Sequence, residues 1–180
     1  MIARWVGAAV FLAVIAADVV AQGTPDIRVT PLAAEGRLDV SFAAGAALGP
    51  DARAMVESGL LVTLSFAIDL KRPATGWWDR TVVSTVVSST IKLDTLTGTY
   101  HVSRLQQGHG AWSERTREFA EARDWATSFE RVPLADGEGL DPNAEYYIEV
   151  RMSASPRRTF SLWPFGSDGP TGRAAFTFIR

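Results

Sequence analysis

Cysteine is absent from all 180 residues. That removes disulfides, zinc–thiolate centres, iron–sulfur clusters and cysteine nucleophiles together. Histidine is scarce: only His101 and His109 occur, so a metal centre built mainly from imidazole lacks its ligands. Neither sign of charge prevails. Lys plus Arg total 18 and Asp plus Glu total 20, a formal net charge of −2. No basic surplus is left to neutralise a phosphate backbone, which argues against nucleic acid as a partner. Glycine and proline are at ordinary levels, so the chain is neither collagen-like nor low-complexity. Gly-x-Ser-x-Gly elbows, P-loops and dinucleotide fingerprints do not occur. What remains is a chain that is 47% apolar and 21% charged, rich enough in apolar side chains to bury one core.

The longest apolar run lies near the start. From Trp5 to Ala17 no charged side chain appears, Arg4 precedes the run and Asp18 breaks it. As a helix this run would rise roughly 20 Å, short of the roughly 30 Å hydrocarbon core of a bilayer. Val19-Val20-Ala21 then offers small or medium side chains for a cleavage site, and polar Gln22-Gly23 follows. The pattern predicts a signal peptide over residues 1–21 and an exported, periplasmic or otherwise extracytoplasmic domain over residues 22–180, with no permanent membrane span after cleavage. The missing cysteine excludes a lipoprotein anchor.

Beyond the leader, the dominant period is two. Leu60, Val62, Leu64, Phe66, Ile68 and Leu70 alternate with smaller or polar residues, which predicts a strand with one buried face. Thr81–Leu93 is crowded with β-branched residues, which favour extended backbone. Thr95-Leu-Thr-Gly98 reads as a turn, and Tyr100 and Val102 as a returning strand. Residues 60–72, 78–94 and 99–105 thus form an antiparallel meander. Segments 27–32 and 37–42 read as an early hairpin around Glu35-Gly36, and residues 129–134, 146–153 and 173–179 as further strands. Pro50–Ser58, with Gly59 after it, carries helix start and stop signals. A second helix is predicted over Thr116–Ser128 from the spacing of Phe119, Ala122, Ala126 and Phe129. The fold class is mainly β: a single antiparallel β-sandwich with immunoglobulin-like layers and two short helices. Residues 155–172, with three Pro and three Gly, read as a long loop.

The order of these landmarks is similar to that of the bacterial domain-of-unknown-function 4390 family. The pieces that carry the likeness are Ala54-Met-Val-Glu-Ser-Gly59 leading into an alternating strand, Trp77-Trp78-Asp79, Leu93-Asp94-Thr-Leu-Thr-Gly-Thr-Tyr100, and Tyr147-Ile-Glu-Val-Arg-Met152. The resemblance spans roughly residues 27–180 and departs at the C-terminal end, where only Trp163 stands for a Trp-rich closing segment. It implies a small exported envelope protein with no assigned catalytic residues. It also implies a membrane sensor histidine kinase of the nitrogen-regulation type as a possible partner.

Candidate chemistry is sparse. His101 falls on a strand and His109 in a loop, both as ordinary polar residues. Asp69, Asp79, Asp94 and Glu149 fall in strands or turns, where carboxylates ordinarily face water. No catalytic, cofactor-binding or metal-binding residue is assigned. Trp77 and Trp78 are adjacent, so on an extended backbone they point to opposite sides and one is left for an exposed contact. Large aromatics with arginine nearby are what protein interfaces favour. The candidate interaction residues are therefore Trp77, Trp78 and Arg80, together with Arg157, Arg158, Trp163 and Phe165 of the late loop. The reading is a non-enzymatic protein-interaction module of the cell envelope, without cofactor. The alternatives are an envelope hydrolase with a carboxylate or Ser/His site, or a carrier of lipid or another small ligand.

Overall fold

The computed structural model describes residues 27–34, 36–74, 76, 78–106, 111–155 and 169–179. Among these described residues nine strands and two α-helices run in the order β1 (Arg28–Ala34), β2 (Arg37–Ala43), α1 (Pro50–Glu57), β3 (Val62–Arg72), β4 (Arg80–Asp94), β5 (Thr99–Gln106), β6 (Ala111–Thr116), α2 (Phe119–Thr127), β7 (Ser128–Asp136), β8 (Glu145–Ser155) and β9 (Thr171–Thr177). All pairings are antiparallel. One sheet has the order β1-β2-β7, the other β6-β5-β4-β3-β8-β9.

The period-two pattern sets which face is buried. On β3, Val62, Leu64, Phe66, Ile68 and Leu70 are fully buried, and Ile148, Val150 and Met152 of β8 and Val87 and Ile91 of β4 join them. The small sheet answers with Leu38, Val40 and Phe42 of β2 and Phe129, Val132 and Leu134 of β7. At the centre, Phe66 sits 5.1 Å from Phe42 and 5.3 Å from Phe129, ring centroid to centroid. The small sheet is half as wide as the large one, so the helices cover the remainder. α1 packs on β3 and β4 through buried Val56, and α2 on β4, β5 and β6 through Ala122 and Ala126. Ser89, a polar residue on the buried face of β4, is satisfied because its hydroxyl donates to the carbonyl of Ala126 at 2.5 Å. Among the described residues no layer of strands or helices covers the outer face of the large sheet, and its side chains are mostly small and polar, such as Thr63, Ser65, Ser88 and Ser153.

Several boundaries differ from those read in the sequence. β3 begins at Val62, and Leu60 is half exposed. Leu60 belongs to the end of α1: its N–H donates to Met55, and the N–H of Gly59 to Val56. This Schellman closure needs the left-handed conformation that glycine takes freely, and Gly59 has φ +83°. The second helix starts at Phe119, because residues 111–116 form an unforeseen strand, β6, before it. β7 runs two residues past Leu134, and β9 starts at Thr171, inside the segment read as loop.

Candidate functional site

The outer face of the large sheet holds a charged cluster where β3, β8 and β9 run side by side. Asp69 lies directly opposite Glu149 in the β3–β8 register, and Glu149 opposite Arg173 in the β8–β9 register. The expectation that these carboxylates face water fails: Asp69 and Glu149 are both buried. Two like charges directly across a sheet repel, and here three cations close over them. Arg151 donates to Asp69 at 2.6 Å and Arg173 to Glu149 at 2.6 Å, while Lys71 donates to Glu149 at 3.0 Å. Ser84 of β4 donates its hydroxyl to the other oxygen of Asp69 at 2.6 Å. Burial alone would push the Glu149 carboxyl up, but hydrogen bonds from Arg173 and Lys71 outweigh it and hold the pKa below the ordinary value. Glu149 in turn raises that of Arg173.

The cluster continues to the β3–β4 turn. The Arg173 guanidinium lies 4.5 Å over the ring of Tyr147, its near neighbour on the same face. The Tyr147 hydroxyl donates to Asp79 at 2.6 Å, and the second oxygen of Asp79 accepts the N–H of Ala74 at 3.3 Å. Burial and the adjacent Asp79 carboxylate push the Tyr147 phenol up to about 12. The same bond, with that from Ala74, holds Asp79 below its usual range. At the root of the turn Arg72 pairs with Asp141. Asp69, Asp79 and Glu149 thus balance Lys71, Arg151 and Arg173, and the set is neutral.

This framework displays Trp78. Its side chain is 84% exposed, with exposed Arg80 two residues on. Tryptophan at that exposure has no core to fill, so the turn presents an apolar surface held from behind by Asp79. Of the residues singled out in the sequence, Trp78 and Arg80 belong to this turn. Trp77, Arg157, Arg158, Trp163 and Phe165 lie outside the described residues. The chain leaves β8 at Ser155, opposite Thr63, at the far end of β3 from the turn. Two tryptophans lie outside the core. Trp78 faces solvent, and Trp112 is 37% exposed. Trp112 stacks edge-on against Trp125 and lies 4.6 Å from the Arg104 guanidinium.

Sequence reasoning missed Tyr147, Lys71 and Arg173 as parts of one site. Their union depends on strand register, although the alternation Asp69-x-Lys71 and Glu149-x-Arg151 was a visible sign of charged partners on one face. Among the described residues no group of three or more His, Asp or Glu side chains is placed to hold a metal ion. Nor is any described helix long and apolar enough to cross a membrane.

The Asp79 latch should respond to acid in a defined direction. A carboxylate whose pKa is lowered in the folded state contributes above its unfolded pKa, and the contribution is lost as pH falls through the folded value. Protection of the Ala74 amide, measured against an unstructured amide at the same pH, should therefore be high at neutral pH and fall once Asp79 protonates, below the ordinary Asp range. Tyr147→Phe should lower it already at neutral pH with the sheet amides unchanged. Equal protection of Ala74 in both proteins would show that the latch holds nothing.

Comparison with curated proteins and with solved structures returned no match. The model of one family matches residues 26–158, from the start of β1 through β8. The match stops short of the C-terminal end expected from the resemblance, leaving out Trp163, Phe165 and β9 with Arg173. It nevertheless covers well over half of the chain and includes the turn, the Asp69–Glu149 pair and Tyr147, so the chain belongs to the family described as Domain of unknown function (DUF4390).

Proposed function

We propose that this chain is an exported protein of the bacterial cell envelope that works without catalysis, docking on another envelope protein through the β3–β4 turn. The observation that carries the reading is the braced display of Trp78: a large apolar side chain held in water by a turn that Asp79 and Tyr147 fix in place. Interfaces draw most of their affinity from a few Trp, Tyr and Arg anchors, and a rigid anchor loses little entropy on binding. Trp78 and Arg80 have that composition. The buried carboxylates do not favour a hydrolase, because Asp69 and Glu149 are engaged by three cations and a hydroxyl rather than opened toward a substrate. The leader at residues 1–21 supports export, and the family resemblance supports a membrane sensor histidine kinase as the docking partner.

Trp78→Ala tests this directly. Because the side chain is exposed, the substitution should change stability by no more than about 0.5 kcal/mol. The same change should abolish recovery of the sensor kinase on chemical crosslinking in the native envelope. Wild-type levels of crosslinked kinase from the alanine variant would reject the turn as the docking site.

A further inference from the structure

Two loops meet at the end of the large sheet opposite the Trp78 turn. One joins α1 to β3 and the other joins β4 to β5. They touch: a Cβ on Gly59 would lie 3.2 Å from the Thr95 methyl. Between them they present three leucines. Leu60 and Leu61 are half exposed, and Leu96 is almost wholly so. The β4–β5 turn holds Leu96 outward. One carboxylate oxygen of Asp94 accepts the N–H of Leu96 at 2.9 Å and that of Thr97 at 3.3 Å, and the Gly98 N–H donates to the Asp94 carbonyl at 2.8 Å. A row of basic side chains crosses the outer face of the sheet just behind these leucines. Lys92 of β4 lies opposite His101 of β5, and His101 opposite Arg115 of β6, so all three stand on one face. Among the described residues none of the three is in an ion pair. Asp94 shares their face but is occupied by the turn, and Glu114 lies opposite buried Val102, on the other face.

We propose that this end of the molecule docks on an anionic lipid bilayer, with Leu60, Leu61 and Leu96 entering the acyl boundary and Lys92, His101 and Arg115 lying against the headgroups. Two independent features point to lipid. The first is composition. Protein interfaces draw on Trp, Tyr and Arg and are poor in Lys, and leucine is under-represented among their anchors. Leucines projecting from two loop tips need a matching pocket on a protein, whereas fluid hydrocarbon receives them without one. Interfacial binding combines such shallow apolar insertion with attraction of Lys and Arg to anionic headgroups. The second is depth. Lys92 is two residues inside the end of β4, roughly 7 Å at the rise of a strand, and the headgroup layer is about 5–7 Å thick on each side of a bilayer. With the leucines at the acyl boundary, the basic row falls at headgroup level. The contact uses no part of the Trp78 turn, so Trp78→Ala should leave it intact and the two proposals fail separately.

The test uses the processed protein, residues 22–180, which hold every described strand and helix. It should sediment with vesicles of three parts phosphatidylcholine to one part phosphatidylglycerol, and about tenfold more weakly with phosphatidylcholine alone. The formal charge of the chain is −2, so uptake by anionic vesicles cannot come from overall charge and requires a local basic patch. Leu96→Ser should weaken binding about tenfold. Lys92→Gln combined with Arg115→Gln should weaken it by a similar factor on anionic vesicles only. These side chains are exposed, so neither variant should change the thermal midpoint. No uptake by anionic vesicles would overturn the proposal and leave the leucines to a protein partner. Uptake that survives Leu96→Ser and the double substitution unchanged would overturn it as well, because the contact would then lie elsewhere.

Discussion

Phe66→Ala should lower stability by about 4 kcal/mol, within the range of about 3–5 kcal/mol for truncating a buried phenylalanine. Phe66 is fully buried on the central strand β3 and meets the small sheet through Phe42 and Phe129. The loss has two parts: the transfer free energy of the ring, and a cavity that the facing strands cannot close. Neither sheet can move inward at this point without breaking its own ladder, because β3 is paired on both sides with β4 and β8. A domain of this size has roughly 5–15 kcal/mol in total, so the substitution removes a large share. Calorimetry should show a fall in Tm of about 8–16 °C. Phe66→Leu, which keeps most of the volume, should lose less than half as much. A shift of only a degree or two for the alanine variant would mean that the layers do not meet at this ring.

The second large effect belongs to Glu149. Glu149→Gln preserves shape but turns the neutral set of three carboxylates and three cations into one with a net positive charge. Breaking a fully buried ion pair costs about 3–5 kcal/mol. Arg173 and Arg151 keep roughly half of their side-chain surface in water, and solvent screening reduces the figure to about 2 kcal/mol. The expected fall in Tm is about 4–8 °C. The pH dependence has a fixed sign. The folded-state pKa of Glu149 lies below its ordinary value, so its contribution is complete above the ordinary Glu range and lost as pH falls through the lowered one. Wild type and variant should therefore differ most near neutrality and converge in acid. A difference that grows in acid would contradict the assignment of Glu149 as the ionised centre of the cluster.

How far the sequence revealed this molecule depends on where each signal is local. The alternation at Val62–Leu70, the β-branched run of β4, and the Gly59 and Gly98 turns are contained within a few residues, and the sandwich followed from them. Strand β6 was hidden because Ala-Trp-Ser-Glu-Arg-Thr is exposed on both faces. An edge strand outside the core has no burial to impose alternation, and Thr116 looked like the start of the helix that follows. The charged cluster was hidden for a different reason. Asp69 and Glu149 stand 80 positions apart, and only the β3–β8 register sets them face to face. Each alone looks like the polar residue of a half-buried strand. The turn was half legible. Adjacent Trp77 and Trp78 implied that one faces away from the core, but the brace from Tyr147 to Asp79 again crosses the sheet.

A photo-reactive amino acid placed at position 78 tests the central claim most directly. The control is position 96, because Leu96 is 96% exposed on the β4–β5 turn, about 50 Å away along the fifteen residues of β4. Both sites are open to solvent, so exposure alone cannot distinguish them. Irradiation in the native envelope should join position 78 to the sensor kinase and leave position 96 unjoined. Kinase adducts of equal yield from both positions, or from position 96 alone, would contradict the assignment of the Trp78 turn as the surface through which this protein acts.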